Sequence, residues 1–206
     1  MNMLHSLLSF DRNVFYFINH SLANPVFDFI MPIIRNKFTW IPFYIFLIIF
    51  CIVKYKINGI YILLILIASV GLSDLISAHM IKPFFHRLRP CNDQAEAAYI
   101  IDRITCGSGF SFVSSHAANH FTIAAFIMSL FGQRWKWVKP LAFIWAFLIC
   151  VAQVYVGVHF PLEVLAGGLI GFGIGTIMAK LTKVFNLDPI NKPSNLSAYQ
   201  GIDSIA

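Results

Sequence analysis

Charge is what this chain has least of: Asp, Glu, Lys and Arg make up 12% of its 206 residues, while 58% are hydrophobic. That shortage excludes an ordinary soluble domain and predicts an integral membrane protein. Acidic residues are scarcer still, nine Asp and Glu against fifteen Lys and Arg, for a net charge of +6. The basic residues stand in small groups between apolar runs and form no continuous stripe, which excludes nucleic acid as a partner and leaves the membrane and its anionic lipids. A removable signal peptide is not expected, because Asp11, Arg12 and Asn13 interrupt the first segment and no small-residue cleavage site follows. Cysteine is limited to four residues. Cys51 and Cys150 fall in apolar runs and read as small packing residues; Cys91 and Cys106 share one loop, where an oxidising compartment permits a disulfide that the sequence does not demand.

Long apolar runs are abundant. A helix needs roughly 20 apolar residues to cross the hydrocarbon core, and residues 38–53, 59–81, 140–158 and 161–179 approach that length. A fifth run, 117–131, reaches it if Ser114 to His116 form its mouth; 22–34 is too short and is broken by Pro25, Asp28 and Pro32. The expected fold is all-α, a polytopic membrane helix bundle of five to six transmembrane helices with an N-terminal amphipathic segment. One integral membrane domain over 1–206 would comprise interfacial or partly inserted helices (1–36), a bundle carrying the chemistry (38–182) and a cytoplasmic tail (183–206). Phe10, Val14, Phe15, Phe17 and Ile18 recur at helical spacing, so the first segment either lies at the interface or packs on the bundle.

Lys54 and Lys56 fill one short turn, Arg134, Lys136 and Lys139 another, and Lys180, Lys183 and Lys192 the C-terminal end. The positive-inside rule makes these ends cytoplasmic. Alternation then brings 82–115 and 159–160 to the opposite face, the periplasmic one in a bacterial inner membrane. Lys82, Arg87, Arg89 and Arg103 run against the charge bias there, as a site for an anionic substrate requires. Gly167, Gly171 and Gly175 recur every fourth residue, which permits close helix contact in lipid. Asp74 and His79 lie in an apolar run and either back the site or bond helices together.

Phosphate is gripped where cations and N–H groups converge. In KPFFHRLRP, Lys82 and Arg89 are the candidate cations, with Pro90 expected to end a helix just after Arg89 and fix its planar fork. In Ser114-Ser115-His116 a serine is placed to cap the next helix and aim its first N–H groups at the same anion. His159 precedes Pro161, a residue suited to the first helical position, and Glu163 follows in the first turn. A histidine with one ring nitrogen bonded to a carboxylate presents the other as nucleophile or base, which leaves His116 to protonate the leaving oxygen.

These residues resemble three ordered motifs of the type 2 phosphatidic acid phosphatase superfamily of lipid phosphate phosphatases. K-x6-R-P corresponds to Lys82 through Pro90, P-S-G-H to Val113-Ser114-Ser115-His116, and S-R-x5-H-x3-D to Ala152-Gln153 through His159 to Glu163. The similarity runs from about residue 59 to 180. It implies a phosphatase without metal or cofactor, in which His159 forms a phosphohistidine, His116 is the general acid, Glu163 takes the aspartate's role, and Lys82, Arg89, Ser114, Ser115 and Gln153 hold the phosphate. Gln153 stands where the family has an arginine and lacks its charge. Either Arg87 or Arg103 stands in for it, or the substrate is less highly charged.

Two other readings meet the same residues. His116 and His120 are spaced to hold zinc, but the glutamate of H-E-x-x-H is absent. A lipid-phosphate binder or transporter-like relative accommodates Gln153, yet needs no nucleophile. Undecaprenyl diphosphate, lipid A phosphates, phosphatidylglycerophosphate and phosphatidate are all compatible substrates, and nothing in the chain fixes an oligomeric state.

Overall fold

The computed structural model describes residues 3–97, 99–185 and 187. Of the expected tail over 183–206, residues 186 and 188–206, Lys192 among them, lie outside the described residues. All regular structure among those described is helical. Helix α1 (Met3–Tyr16) runs through a π-helical turn, Phe17–Ser21, to α2 (Pro25–Arg35). Asn24 starts α2, its side chain accepting from the N–H groups of Val26 and Phe27 at 3.0 Å each, with Pro25 in the first turn. A 3₁₀ turn, Lys37–Trp40, opens α3 (Ile41–Tyr55), and a single residue, Lys56, joins it to α4 (Ile57–Asp74). That hairpin is tight because Gly59 sits directly against the Cys51 carbonyl, where a Cβ would collide. The α4 rod continues through a π-helical stretch, Leu75–Ile81, into the short α5 (Lys82–Phe85). After α6 (Gln94–Ala97) come α7 (Ser115–Phe131), α8 (Val138–Tyr155) and α9 (Pro161–Val184).

Helices therefore occupy all five expected runs. Four stretches, Lys37–Tyr55, Ile57–Asn92, Val138–Tyr155 and Pro161–Val184, are long and apolar enough to cross a membrane by length and composition. Their outer faces carry exposed Phe46, Val53, Ile67, Leu141, Leu169 and Ile177, as lipid contact demands. Helix α7, 17 residues long, is the enclosed one: it packs on α4, α8 and α9 and buries Ala117, Ala118, Thr122, Ala125 and Phe126. Its closest neighbour is α9, where Gly167, Gly171 and Gly175 face the carbonyls of Ser114, Ala118 and Thr122 with no room for a Cβ. Thr122 seals the seam by donating to the Gly171 carbonyl at 3.2 Å.

The structure differs from expectation at one element. The helix bearing Lys82 does not run to Arg89: it stops at Phe85, His86 takes a left-handed conformation (φ 48°), and Arg89 is extended. Pro90 explains the extension, since it pushes the preceding residue out of helical space. The N-terminal segment packs as well as presenting an apolar face. Phe15 is buried against Ala117, Cys150, Val154, Phe160 and Val164, while Phe10 and Phe17 stay exposed.

Candidate active site

The mouths of α7 and α9 meet at one end of the bundle. Ser114 caps α7, its hydroxyl accepting from Ala117 N–H at 3.4 Å, and its own N–H donates to the Glu163 carbonyl at 3.1 Å. Pro161 starts α9, so Glu163 lies one turn in and its carboxylate turns back to accept from Phe160 N–H at 3.2 Å. The same oxygen, Oε2, lies 2.9 Å from His159 Nδ1 and accepts the Ser111 hydroxyl. With Nδ1–H donated to Glu163, the other ring nitrogen, Nε2, carries the lone pair and looks toward Arg89 Nη1 at 3.4 Å. His159 and Glu163 are both essentially inaccessible. Burial is the main force pulling the His159 pKa down, to about 4, with Glu163 opposing it and Arg89 and Lys82 adding to it. Its imidazole is neutral at neutral pH.

The cations around this pair fall into two groups. Arg87 bonds Asp11 at 3.2 Å, holds its Nε 3.2 Å from Glu163 Oε1 without pointing an N–H at it, and stacks over Phe160 with 4.3 Å between the guanidinium carbon and the ring centroid. Arg103 pairs with Asp28, donates to the carbonyls of Tyr155 (2.9 Å) and Asn19 (3.0 Å), and lies over the Tyr155 ring. Both are committed to scaffolding. Lys82 and Arg89, by contrast, form no ion pair with a carboxylate among the described residues. Lys82 is half-buried and feels the charges of Arg89, Glu163 and Asp74. Arg89 Nε, Ser115 Oγ and Gln153 Nε2 are buried with no hydrogen-bond partner among the described residues. Orphaned donors of this kind are costly without an acceptor, and a phosphate has the oxygens to supply one.

The candidate catalytic and phosphate-binding residues read from the sequence lie at this end of the bundle. Lys82, Arg89, His159 and Glu163 are drawn together, and His116, on the first turn of α7, is within electrostatic reach of His159 and Lys82. Ser114 is a cap and a link to Glu163. Gln153, buried near the end of α8, meets neither Arg87 nor Arg103; the guanidinium beside it is Arg35, whose Nε donates to Gln153 Oε1 at 3.3 Å. His120 is occupied by the His116 carbonyl at Nδ1 (2.8 Å) and the Tyr44 hydroxyl at Nε2 (3.3 Å). Among the described residues no three His, Cys, Asp or Glu side chains converge as a metal would need. Asp74 accepts from Asn119 at 3.1 Å, while His79 is exposed.

Three participants were missed by sequence reading. Ser111 joins the His159–Glu163 pair, Asp11 caps α9 by accepting from Leu162 N–H at 2.8 Å, and Arg35 joins Gln153. Burial raises the Asp11 pKa, while Leu162 N–H and Arg87 favour its charged form. A disulfide between Cys91 and Cys106 clips the segment after Arg89 to the far side of the loop, and Gly107 brings the backbone against the Arg89 guanidinium.

Comparison with known proteins follows the same stretch of chain. The PAP2 superfamily profile matches residues 58–186. A lipid A 4'-phosphatase of Bacteroides thetaiotaomicron is 31% identical over 82% of this chain and 75% of its own. An undecaprenyl-diphosphatase of Sulfolobus acidocaldarius is 29% identical over 84% of this chain and 79% of its own. Among solved structures, LpxE of Aquifex aeolicus superposes with a TM-score of 0.63 at 30% identity, covering 82% of this chain and 93% of that one.

Proposed function

The chain belongs to the PAP2 superfamily and is a membrane lipid phosphate phosphatase, and we propose that it removes the phosphate monoester of a lipid A-type glycolipid through a phosphohistidine on His159. The observation that carries this reading is the His159–Glu163 pair: Nδ1 is held at 2.9 Å by the carboxylate, and Nε2 faces the Arg89 guanidinium, which has no carboxylate partner among the described residues. In the first step Nε2 attacks phosphorus, the bond from phosphorus to the sugar oxygen breaks, and His116 gives that oxygen its proton. A bound phosphate dianion favours the protonated form of His116 needed for this. In the second step His116 takes a proton from water, the water oxygen attacks phosphorus, and the bond to Nε2 breaks to release inorganic phosphate. Lys82 and Arg89 neutralise the equatorial oxygens, Ser115 and the amide of Gln153 donate to them, Ser114 holds the mouth of α7, and Glu163 stabilises the imidazolium character that develops on His159.

Lipid A phosphate is preferred because the Bacteroides thetaiotaomicron relative, at 31% identity, is a lipid A 4'-phosphatase; undecaprenyl diphosphate is the comparison substrate. The site opens at the periplasmic face of a bacterial inner membrane in this reading, with α7 as a fifth crossing. Support comes from Lys54, Lys56, Arg134, Lys136, Lys139, Lys180 and Lys183, which cluster at turns and ends away from the site. The test is release of phosphate by purified protein in detergent from both lipids, followed by alkaline quench with phosphate-labelled substrate. Base-stable, acid-labile label on wild type and none on His159→Asn is expected. Turnover without label on His159, or no release from either lipid, contradicts the proposal.

A further inference from the structure

Gln153 is the one motif position where a charge is missing, and a guanidinium from outside the motifs stands against it. Arg35 is the last residue of α2, 118 residues away in sequence. It is half-buried, has no carboxylate within ion-pair distance among the described residues, and lies near enough to Arg89 for the two charges to repel. Its charge is also felt at His116. Like charges brought together without a counter-ion in a poorly solvated place are unfavourable until an anion joins them.

We propose that Arg35 is the third phosphate-gripping cation of this site, delivered by α2 and aimed by Gln153. The inference rests on the phosphatase reading above and names a further binding residue for it. Gln153 is suited to the aiming role because its carbonyl oxygen takes Arg35 Nε–H, which leaves the two terminal nitrogens of the guanidinium for phosphate oxygens. Its own Nε2, without a protein partner among the described residues, donates beside them. An arginine at 153 would repel Arg35, so the two positions form one unit: charge at 35 with amide at 153, or the reverse. The helix that carries Arg35 is anchored for the purpose. Asp28 ties α2 to Arg103 and to the Tyr155 hydroxyl at 2.6 Å, and Met31 packs against Ala152, Tyr155, Val156 and Val158 at the end of α8.

The experiment compares purified full-length wild type with Arg35→Ala, Arg35→Lys, Gln153→Arg and the exchange Arg35→Gln/Gln153→Arg. It reads kcat/KM on a lipid phosphate and the inhibition constant of orthovanadate, which mimics the transferring phosphoryl group. Loss of a charged hydrogen bond predicts that Arg35→Ala lowers kcat/KM and weakens vanadate by about 10- to 100-fold. Arg35→Lys should fall between, Gln153→Arg alone should be impaired by repulsion, and the exchange should recover most of the loss, as coupled positions do. Should Arg35→Ala fail to fold, Arg35→Lys and the exchange decide on the same readouts. Vanadate binding in Arg35→Ala at the wild-type level, or an exchange variant no better than Arg35→Ala, overturns the inference. If wild type releases no phosphate from any lipid but vanadate stabilises it against heat and does not stabilise Arg35→Ala, the hydrolytic reading fails and the anion site stands. If Arg35→Ala turns over like wild type, the inference fails alone.

Discussion

At the scale of residues, the site turns on how Glu163 and burial act against each other on His159. Burial pulls the imidazole pKa from 6.5 to about 4 against the pull of Glu163. The nucleophile therefore stays neutral through the range where an ordinary histidine takes up a proton, and the acid limb of kcat/KM should fall near pH 4 rather than near 6.5. The sign for stability follows: between those values the unfolded chain binds the proton that the folded one refuses, so stability present above pH 6.5 erodes as pH drops toward 4. A pH–rate profile and denaturation at matched pH check both, and an acid limb near 6.5 would contradict the assignment. Glu163→Gln keeps the shape of the orienting group but removes the charge that supports the imidazolium. It should lower kcat by about 10²- to 10⁴-fold, as loss of a comparable orienting carboxylate does, with KM little changed. Most of this was legible in the sequence because its logic is local: His159 and Glu163 are four apart, and Pro161 sets the turn between them. Arg35, Asp11 and Ser111 were not legible, since they reach the site through contacts spanning 118, 151 and 52 residues. The missing charge at Gln153 signalled that a partner was needed without saying which arginine supplied it.

At the scale of elements, what holds the chemistry in register is the α7–α9 seam and the N-terminal helices laid across its mouth. His116 rides on α7 and Glu163 on α9, so the distance between those axes sets the distance between acid and nucleophile. Gly171 faces the Ala118 backbone with no space for a Cβ. Gly171→Leu should wedge the helices apart, destabilising by about 1–3 kcal/mol and cutting kcat more than the stability loss alone would. Thermal unfolding in detergent and turnover, measured on the same sample, separate the two effects. Asp11 acts from the other side, capping α9 through Leu162 N–H and restraining Arg87 beside Glu163. Asp11→Ala should cost about 1–3 kcal/mol for the buried donors it strands, whereas Asp11→Asn, which keeps an acceptor for Leu162, should cost less. Equal costs for the two would show that the cap contributes nothing. Four apolar runs announced their helices through length, and the fifth, 117–131, reached it only with Ser114 to His116 as its mouth. The end of α5 was misread because left-handed His86 stops the helix four residues before Pro90, and nothing in its side chain signals that.

At the scale of the whole molecule, four membrane-length stretches, an enclosed α7 and a cation-rich mouth make a bundle whose two ends differ in kind. One end carries the lysine- and arginine-bearing turns, and the other carries the site and a loop closed by the Cys91–Cys106 disulfide. Cys51 and Cys150 are buried among helices, so these two thiols should answer no membrane-impermeant reagent in the folded protein. Topology can therefore be read from the loop cysteines in intact cells. With the site on the periplasmic side, a membrane-impermeant maleimide applied from outside should label nothing at first, and should label Cys91 and Cys106 after gentle reduction. Removing both by Cys91→Ser/Cys106→Ser should abolish that labelling. Because the bridge also holds the segment behind Arg89, where Asn92 donates to the Gly107 carbonyl at 3.1 Å, the same variant should weaken vanadate inhibition while leaving the helical content unchanged. Labelling without reductant would show an open loop in the same orientation. Labelling that requires inside-out vesicles would place the whole site on the cytoplasmic face and overturn the orientation drawn from the positive turns.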